Sequence, residues 1–354
     1  MSKKRVCFLG QFPPPIHGLS KAIATLYNSD LNTQFEFSKL SLTNNRFFLL
    51  NLIRLLFSRS DLYYLTISQT KMGNLRDLIL MGLILIKHKP CLIHLHGGYY
   101  RKLVDTDVDH WQRALNYALV KRLNGVIVLG ESLKPLFMGM IDPLKIFVVE
   151  NCVDDEYRMS DEELKCKLSC TSKRAQHILY LSNMIRSKGY HDVLELALLD
   201  RDRGSYVFDF AGAFFDKNEK IEFFKFIQDN KLESSVMYHG TVSGETKRTL
   251  LRKATFFILP TRYPKEGQPI SILEAMGNGN VIITTNHAGI PDIVEDGVNG
   301  IVLQAGYSKE RLLSRMSRVD FEKTAKVNFD TVSHNFSEER YVSKVLSIFS
   351  KQFT

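Results

Sequence analysis

The chain has 354 residues, of which 44% are hydrophobic and 24% charged, with 10 prolines and 21 glycines. At ~100–200 residues per domain this length predicts about two domains, and the composition excludes a disordered, collagenous or disulfide-stapled chain. The net charge of +9 is unevenly placed: residues 1–104 hold 14 Lys/Arg against 4 Asp/Glu, and the rest hold 33 against 34. A one-sided field of this kind predicts an anionic partner, with a merely basic soluble surface as the alternative. The five cysteines are odd in number, form no CxxC, and no signal peptide precedes Lys3-Lys4-Arg5, which predicts a reducing, cytoplasmic setting. The longest apolar run, Leu78–Ile86, is well short of the ~18 residues that a membrane-spanning helix needs.

Strand and helix patterns alternate along the chain, which predicts α/β layers with parallel sheets. Strands are expected at Arg5–Gly10, Phe35–Leu40, Leu62–Ile67, Cys91–His96, Gly125–Leu129 and Ile146–Val149. Helices fit Leu19–Tyr27, Asn45–Ser58, Leu75–His88, Asp109–Leu123 and Ser132–Gly139. A polar stretch, Asp155–Gln176, reads as a linker or a solvated helix. The alternation then restarts, with strands at His177–Ser182, Tyr206–Ala211, Val236–His239, Phe256–Leu259, Val281–Thr284 and Gly300–Leu303. Helices fit His191–Leu199, Lys217–Asp229, Ser243–Lys253, Pro269–Asn278 and Ser308–Met316. Tyr341, Val345, Ile348 and Phe349 give Ser337–Phe353 the spacing of an amphipathic terminal helix.

The sharpest local signal is Glu266-Gly267-Gln268-Pro269-Ile270-Ser271-Ile272-Leu273-Glu274. Pro269 suits the first turn of a helix, where its missing N–H costs nothing. Free amides at such a helix start favour an anion such as a diphosphate. Glu266 and Glu274 are placed to accept hydrogen bonds from hydroxyls at two ends of one ligand; an acidic loop residue and an ordinary helical Glu is the alternative. His94 and His96 share one strand face. A metal pair there lacks a third ligand at a convincing spacing, and no metal is expected. Asp107-Val108-Asp109 reads as a helix N-terminus with Asp109 near the cap.

This Glu-x7-Glu block, followed by Gly289-Ile290-Pro291-Asp292 and Asp296-Gly297-Val298-Asn299-Gly300, resembles the C-terminal domain of glycosyltransferase family 4. Pro13-Pro14-Pro15-Ile16-His17-Gly18, His94-Leu95-His96-Gly97-Gly98, Asn151-Cys152-Val153-Asp154 and Leu181–Gly189 resemble further segments of that family, in its order. The resemblance implies a retaining enzyme of the GT-B fold, with two Rossmann-like doubly wound domains facing each other across a cleft. The expected divisions are an acceptor domain over 1–160, a nucleotide-sugar domain over 161–336, and a terminal helix over 337–354 packing back on the first.

Carried over residue by residue, the resemblance implies that Glu274 binds ribose hydroxyls and Glu266 faces the donor sugar. The backbone of Gly267, Gln268, Pro269 and Ile270 would hold sugar hydroxyls and phosphate, Lys188 would neutralise the leaving diphosphate, and His96 would lie near the sugar and diphosphate. Two departures stand out. Ser182-Asn183 replaces the family's frequent Gly-Arg, leaving Arg186 as a candidate substitute. His17-Gly18 replaces a frequent Gly-Gly, so Gly18 still allows phosphate close to the backbone while His17 either donates or shapes the loop. The implied reaction passes a sugar from a nucleotide-sugar, UDP preferred over GDP, to a hydroxyl of a lipid-diphosphate-linked saccharide in polysaccharide or O-antigen assembly. No cofactor is expected. The rivals are a UDP-sugar 2-epimerase of the same fold and a non-catalytic, membrane-bound sugar-nucleotide-binding subunit.

Asn45–Arg59 and Asn74–Lys89 are strongly apolar segments carrying cations. They read partly as helices covering a sheet and partly as interfacial helices on anionic lipid. Arg46, Arg54 and Arg59 are the expected lipid contacts, each worth about 1 kcal/mol. This places the chain on the inner face of the cytoplasmic membrane. The basic residues lack the pattern of a nucleic-acid-binding fold, and no nucleic acid partner is expected.

Overall fold

The structure is a computed structural model, and it describes residues 3–14, 18–170 and 176–353. The chain forms two compact units. The first comprises 1–152, 265–268 and 338–354, and the second 153–264 and 269–337. The passage from one to the other thus falls at Cys152–Val153, ahead of the linker expected from composition.

The first unit runs β1 (Lys4–Gly10), α1 (Gly18–Asn28), β2 (Phe35–Ser41), α2 (Phe48–Phe57), β3 (Leu62–Thr66), α3 (Lys71–Ile86), β4 (Cys91–His94), a one-turn α4 (Tyr100–Lys102), α5 (His110–Val120), β5 (Gly125–Val128) and β6 (Ile146–Val148). Its parallel sheet has the order β2-β1-β3-β4-β5-β6, with Val6 opposite Leu62 and Phe37, and Tyr64 opposite Leu92. The central strands read as unbroken apolar runs because a parallel sheet is covered on both faces. Right-handed crossovers put α1, which leads to one edge, on one face. The same rule puts α2, α3 and α5, which lead the other way, on the opposite face.

The second unit also alternates helices with six strands. It runs α6 (Asp161–Cys170), β7 (Gln176–Leu181), α7 (Tyr190–Asp200), β8 (Tyr206–Ala211), α8 (Lys217–Asp229), β9 (Val236–Tyr238), α9 (Gly244–Lys253), β10 (Phe256–Leu259), α10 (Ile270–Met276), β11 (Val281–Thr285), β12 (Gly300–Leu303), α11 (Lys309–Met316) and α12 (Phe321–Asn335). The strand order is β12-β11-β10-β7-β8-β9, again parallel. Both sheets reverse their winding next to the first strand, between β1 and β3 and between β7 and β10. In doubly wound sheets the loops at that point, beyond the carboxyl ends of the strands, hold ligands.

The last helix, α13 (Glu338–Ser350), belongs to the first unit. Its Tyr341, Val345, Ile348 and Phe349 are buried in one cluster with Val6, Phe8, Leu62 and Tyr64.

Several elements differ from the sequence expectation. The segment expected as one helix over 45–58 opens as a 3-10 turn, Asn45–Phe47, before α2. Residues 131–137 form 3-10 helix, with Pro135 inside. The polar stretch after 155 contains α6, which is a packed helix: Leu164 is buried with Met159, Ala325 and Phe329. Helix α12 has no counterpart in the expectation. It buries Thr324 and Asn328 beside Ala325, Phe329 and Val332, which blurs its apolar period.

Lys167 ties α6 to the end of α10. Its ammonium donates to the Asn278 carbonyl at 2.7 Å and to Asn280 Oδ1 at 2.5 Å. Burial pushes its pKa down from 10.5 to about 7. The folded state therefore binds fewer protons than the unfolded chain between pH 7 and 10.5, and stability from this group rises with pH across that window. Wild type should gain up to ~1.4 kcal/mol per pH unit relative to Lys167→Met as pH rises from about 7. Urea unfolding of both proteins at stepped pH measures this, and parallel curves would refute it.

Candidate active site

In the first unit, His96 lies just beyond β4. His94 is fully buried, and its ring centroid lies 4.0 Å from that of His96, with the planes tilted by 35°. Tyr64 OH and His94 Nδ1 are 2.5 Å apart. Burial, and then the neighbouring His96, pushes the His94 pKa well below 6.5, so His94 is neutral. Tyr64 and Tyr341 are buried in one cluster, and the Tyr341 hydroxyl donates to the Ala22 carbonyl at 3.4 Å. His96 thus rests on the uncharged His94, itself held by Tyr64.

The segment Lys265–Gln268 folds into this unit. Asn151 N–H donates to Gln268 Oε1, and Asn151 Nδ2 donates to the Gln268 carbonyl, each at 2.8 Å. Gly267 packs so closely that a Cβ would lie 2.8 Å from the His96 carbonyl oxygen and 3.1 Å from Gly97 Cα. A side chain there would force the two loops apart. The structure therefore brings His96, Glu266, Gly267, Gln268 and Asn151 together, with Glu266 and Gln268 buried. Gly18 is the first residue of α1 and is exposed; His17 lies outside the described residues.

In the second unit, Pro269 caps α10, which runs for seven residues from Ile270 and ends at Met276, not Asn278. Glu274 is on its buried side. Lys247, on α9, donates to Glu274 Oε1 at 2.7 Å, and its Nζ lies 4.0 Å from the Tyr157 ring centroid. The Tyr157 hydroxyl in turn accepts from Gly244 N–H at 3.1 Å, at the start of α9. A carboxylate this deep needs a countercharge, and Lys247 supplies it. Nothing in the sequence singles out Lys247, one of four cations on a polar helix, or Tyr157.

Lys188 ends a 3-10 turn, Arg186–Lys188. Gly189 follows with φ +84°, and a Cβ there would lie 2.6 Å from the Pro260 carbonyl oxygen. The position therefore requires glycine, and it fixes the turn that carries Lys188. Lys188 Nζ lies 5.3 Å from the Tyr263 ring centroid. The Arg186 guanidinium pairs with Glu222 and, at 3.7 Å, with Glu219. These two carboxylates on α8 already neutralise the candidate substitute for the missing arginine. Asp109 occupies the N-cap position of α5, as its spacing predicted.

Arg46 lies in the 3-10 turn Asn45–Phe47, Arg54 on α2, and Arg59 just after it. All three are exposed. No described helix is long and apolar enough to cross a membrane.

Residues 170–320 match the Glycosyl transferases group 1 family. The chain is 23% identical over 294 residues to an uncharacterized glycosyltransferase of Methanocaldococcus jannaschii, covering 77% of this chain and 72% of the relative. It is 25% identical over 150 residues to the amylovoran biosynthesis glycosyltransferase AmsK of Erwinia amylovora, covering 41% of this chain and 36% of that one. The fold superposes on Anabaena Alr3699/HepE, solved in complex with UDP, with a TM-score of 0.75 and 16% identity over 98% of this chain and 100% of that one. Two doubly wound parallel sheets of six strands each, with this likeness, are the GT-B architecture. The chain carries a Glycosyl transferases group 1 domain on that fold, and it is a glycosyltransferase.

Proposed function

We propose that the protein transfers a sugar from a UDP-sugar to a hydroxyl of a lipid-diphosphate-linked saccharide during assembly of a cell-surface polysaccharide, with retention at the anomeric carbon. The observation that carries the reading is the buried Glu274 carboxylate, held at Oε1 by Lys247 within the matched domain. Such a group is preorganised to accept two hydroxyls of a ribose. The UDP bound to the Anabaena neighbour supports uridine as the nucleoside, and the amylovoran relative supports polysaccharide synthesis.

In this reading Glu266 and the backbone of residues 267–270 engage the donor sugar and its phosphate, His96 lies near the same groups, and Lys188 faces the diphosphate. Gly18 lets phosphate approach the first loop. The acceptor oxygen bonds to the anomeric carbon on the face from which the phosphate leaves. The bond from that carbon to the phosphate oxygen breaks, and the acceptor proton passes to the departing phosphate. The chain's contribution is orientation and stabilisation of the charge that develops on the diphosphate. With Lys188 there, the charge is met by a side chain and no cofactor is required. Arg46, Arg54 and Arg59 meet an anionic lipid surface where the acceptor resides.

A panel of UDP-, GDP- and ADP-sugars read by thermal shift tests this. A shift with UDP-sugars above the others is expected, and a shift with none of them would overturn it. Consumption of the UDP-sugar to a 2-epimer without any acceptor would replace transfer by epimerisation.

A further inference from the structure

Helices α2, α3 and α5 form one layer on the first sheet, with α3 packed against both neighbours. All three point amide side chains inward or toward one another. Asn51 of α2 is buried and donates to the Ser41 carbonyl at 2.8 Å. Between α3 and α5, Asn74 and Asn116 exchange side-chain hydrogen bonds at 2.9 and 3.0 Å, and Gln112 donates to Asn74 Oδ1 at 2.8 Å. Asp77 is fully buried against Arg76 at 2.9 Å.

The outward faces are apolar. On α2, Leu49 is 74% exposed, Ile53 55% and Phe57 76%. Met72, Ile79 and Ile86 make a stripe along α3, with Met72 and Ile86 each about three-quarters exposed. Trp111 and Leu115 face outward from α5, and Trp111 is the only tryptophan in the chain. A surface helix in water shows the reverse arrangement, and a soluble monomer rarely presents a contiguous apolar surface of this extent.

Charge distinguishes the occupant. Asp77 is the one carboxylate on these three helices, and it is buried. Arg54 lies on the face and Arg46 and Arg59 at the ends of α2; among the described residues none of the three has an ion-pair partner. The exposed Asp109 carboxylate at the start of α5 is paired with Lys71 of α3 at 3.2 Å. An apolar face rimmed by cations, with no exposed carboxylate on the helices themselves, complements an anionic lipid surface.

We propose that the α2–α3–α5 face inserts into the interfacial and outer acyl region of an anionic membrane. The apolar side chains hold it there, and the arginines add to the attraction. The inference rests on the reading of a membrane-borne acceptor only for its choice of a lipid surface. It is tested with vesicles that contain no sugar acceptor, so its failure is separate from failure of the nucleotide-sugar panel.

Phosphatidylcholine vesicles with and without phosphatidylglycerol are titrated while Trp111 emission is recorded. Emission should shift to the blue and be quenched by brominated lipid. Binding to the anionic vesicles should largely survive about 0.5 M salt, where screening confines charge effects to a few ångströms. L49S/I53S/F57S, at exposed positions, should lower partitioning at least ~30-fold, as loss of three inserted side chains requires. M72S/I79S/I86S should do the same from the second helix, and unfolding midpoints close to wild type confirm that both variants fold. R46Q/R54Q/R59Q should cost only several-fold, and only at low salt. Complete release by salt, unchanged partitioning of both serine variants, or sedimentation with vesicles without any change at Trp111 would overturn the proposal. So would a lipid-free dimer that the serine substitutions dissociate, because the face would then be a protein interface.

Discussion

Glu274→Gln is expected to raise the Kd for UDP about 100-fold, on the order of 3 kcal/mol, because it removes the charge from two hydrogen bonds to ribose. The same result should follow from the other side of the pair. Lys247→Met leaves Glu274 buried without its cation, so donor affinity should fall at least ~10-fold while Lys247→Arg recovers most of it. Isothermal titration with UDP measures all three variants. If Glu274→Gln binds UDP like wild type, the nucleotide assignment falls. If Glu274→Gln weakens binding but Lys247→Met does not, Lys247 is merely structural.

Lys188→Ala should lower kcat about 100- to 1,000-fold and change donor affinity much less. A cation facing the leaving diphosphate gains most of its interaction as the glycosidic phosphate bond breaks, and loss of one such stabiliser costs about 3–4 kcal/mol of barrier. Release of UDP with an acceptor-bearing membrane extract reports turnover, and titration with the intact donor reports binding. An unchanged kcat with a raised KM would instead make Lys188 a binding group that acts equally on ground and transition states. Arg186→Ala should leave kcat within a few-fold, because Glu222 and Glu219 already occupy that guanidinium.

Both predictions rest on positions visible as a pattern, and their partners were not. Glu266 and Glu274 stand in a block punctuated by Gly267 and Pro269, so the loop and helix could be placed from residue type alone. Lys247 is separated from Glu274 by 27 positions, and pairing across such a distance is settled by the β10 crossover, not by any local signal. Arg186 shows the reverse: the resemblance offers it as a substitute for a phosphate-binding arginine, and only the fold shows that α8 brings Glu219 and Glu222 against it.

By itself the sequence determined the alternation of strands and helices, because parallel strands buried on both faces read as continuous apolar runs between turn residues. It also determined where the positive charge lies. Only the tertiary structure decided which way the faces of α2, α3 and α5 point. Leu49, Ile53 and Phe57 resemble core residues in composition, and Asn51, Asn74 and Asn116 resemble surface residues. The sheet needs only one side of each helix, and the buried amides of α3 and α5 satisfy one another there, so Leu49, Ile53, Phe57, Met72, Ile79, Ile86 and Trp111 are left outside. Helix α12 was missed for a related reason: Asn328 faces inward to donate to the Asn280 and Asn299 carbonyls at 2.8 and 2.9 Å. A polar residue reads as solvent-facing until the partner that pays its desolvation is known, and that partner is set by the fold.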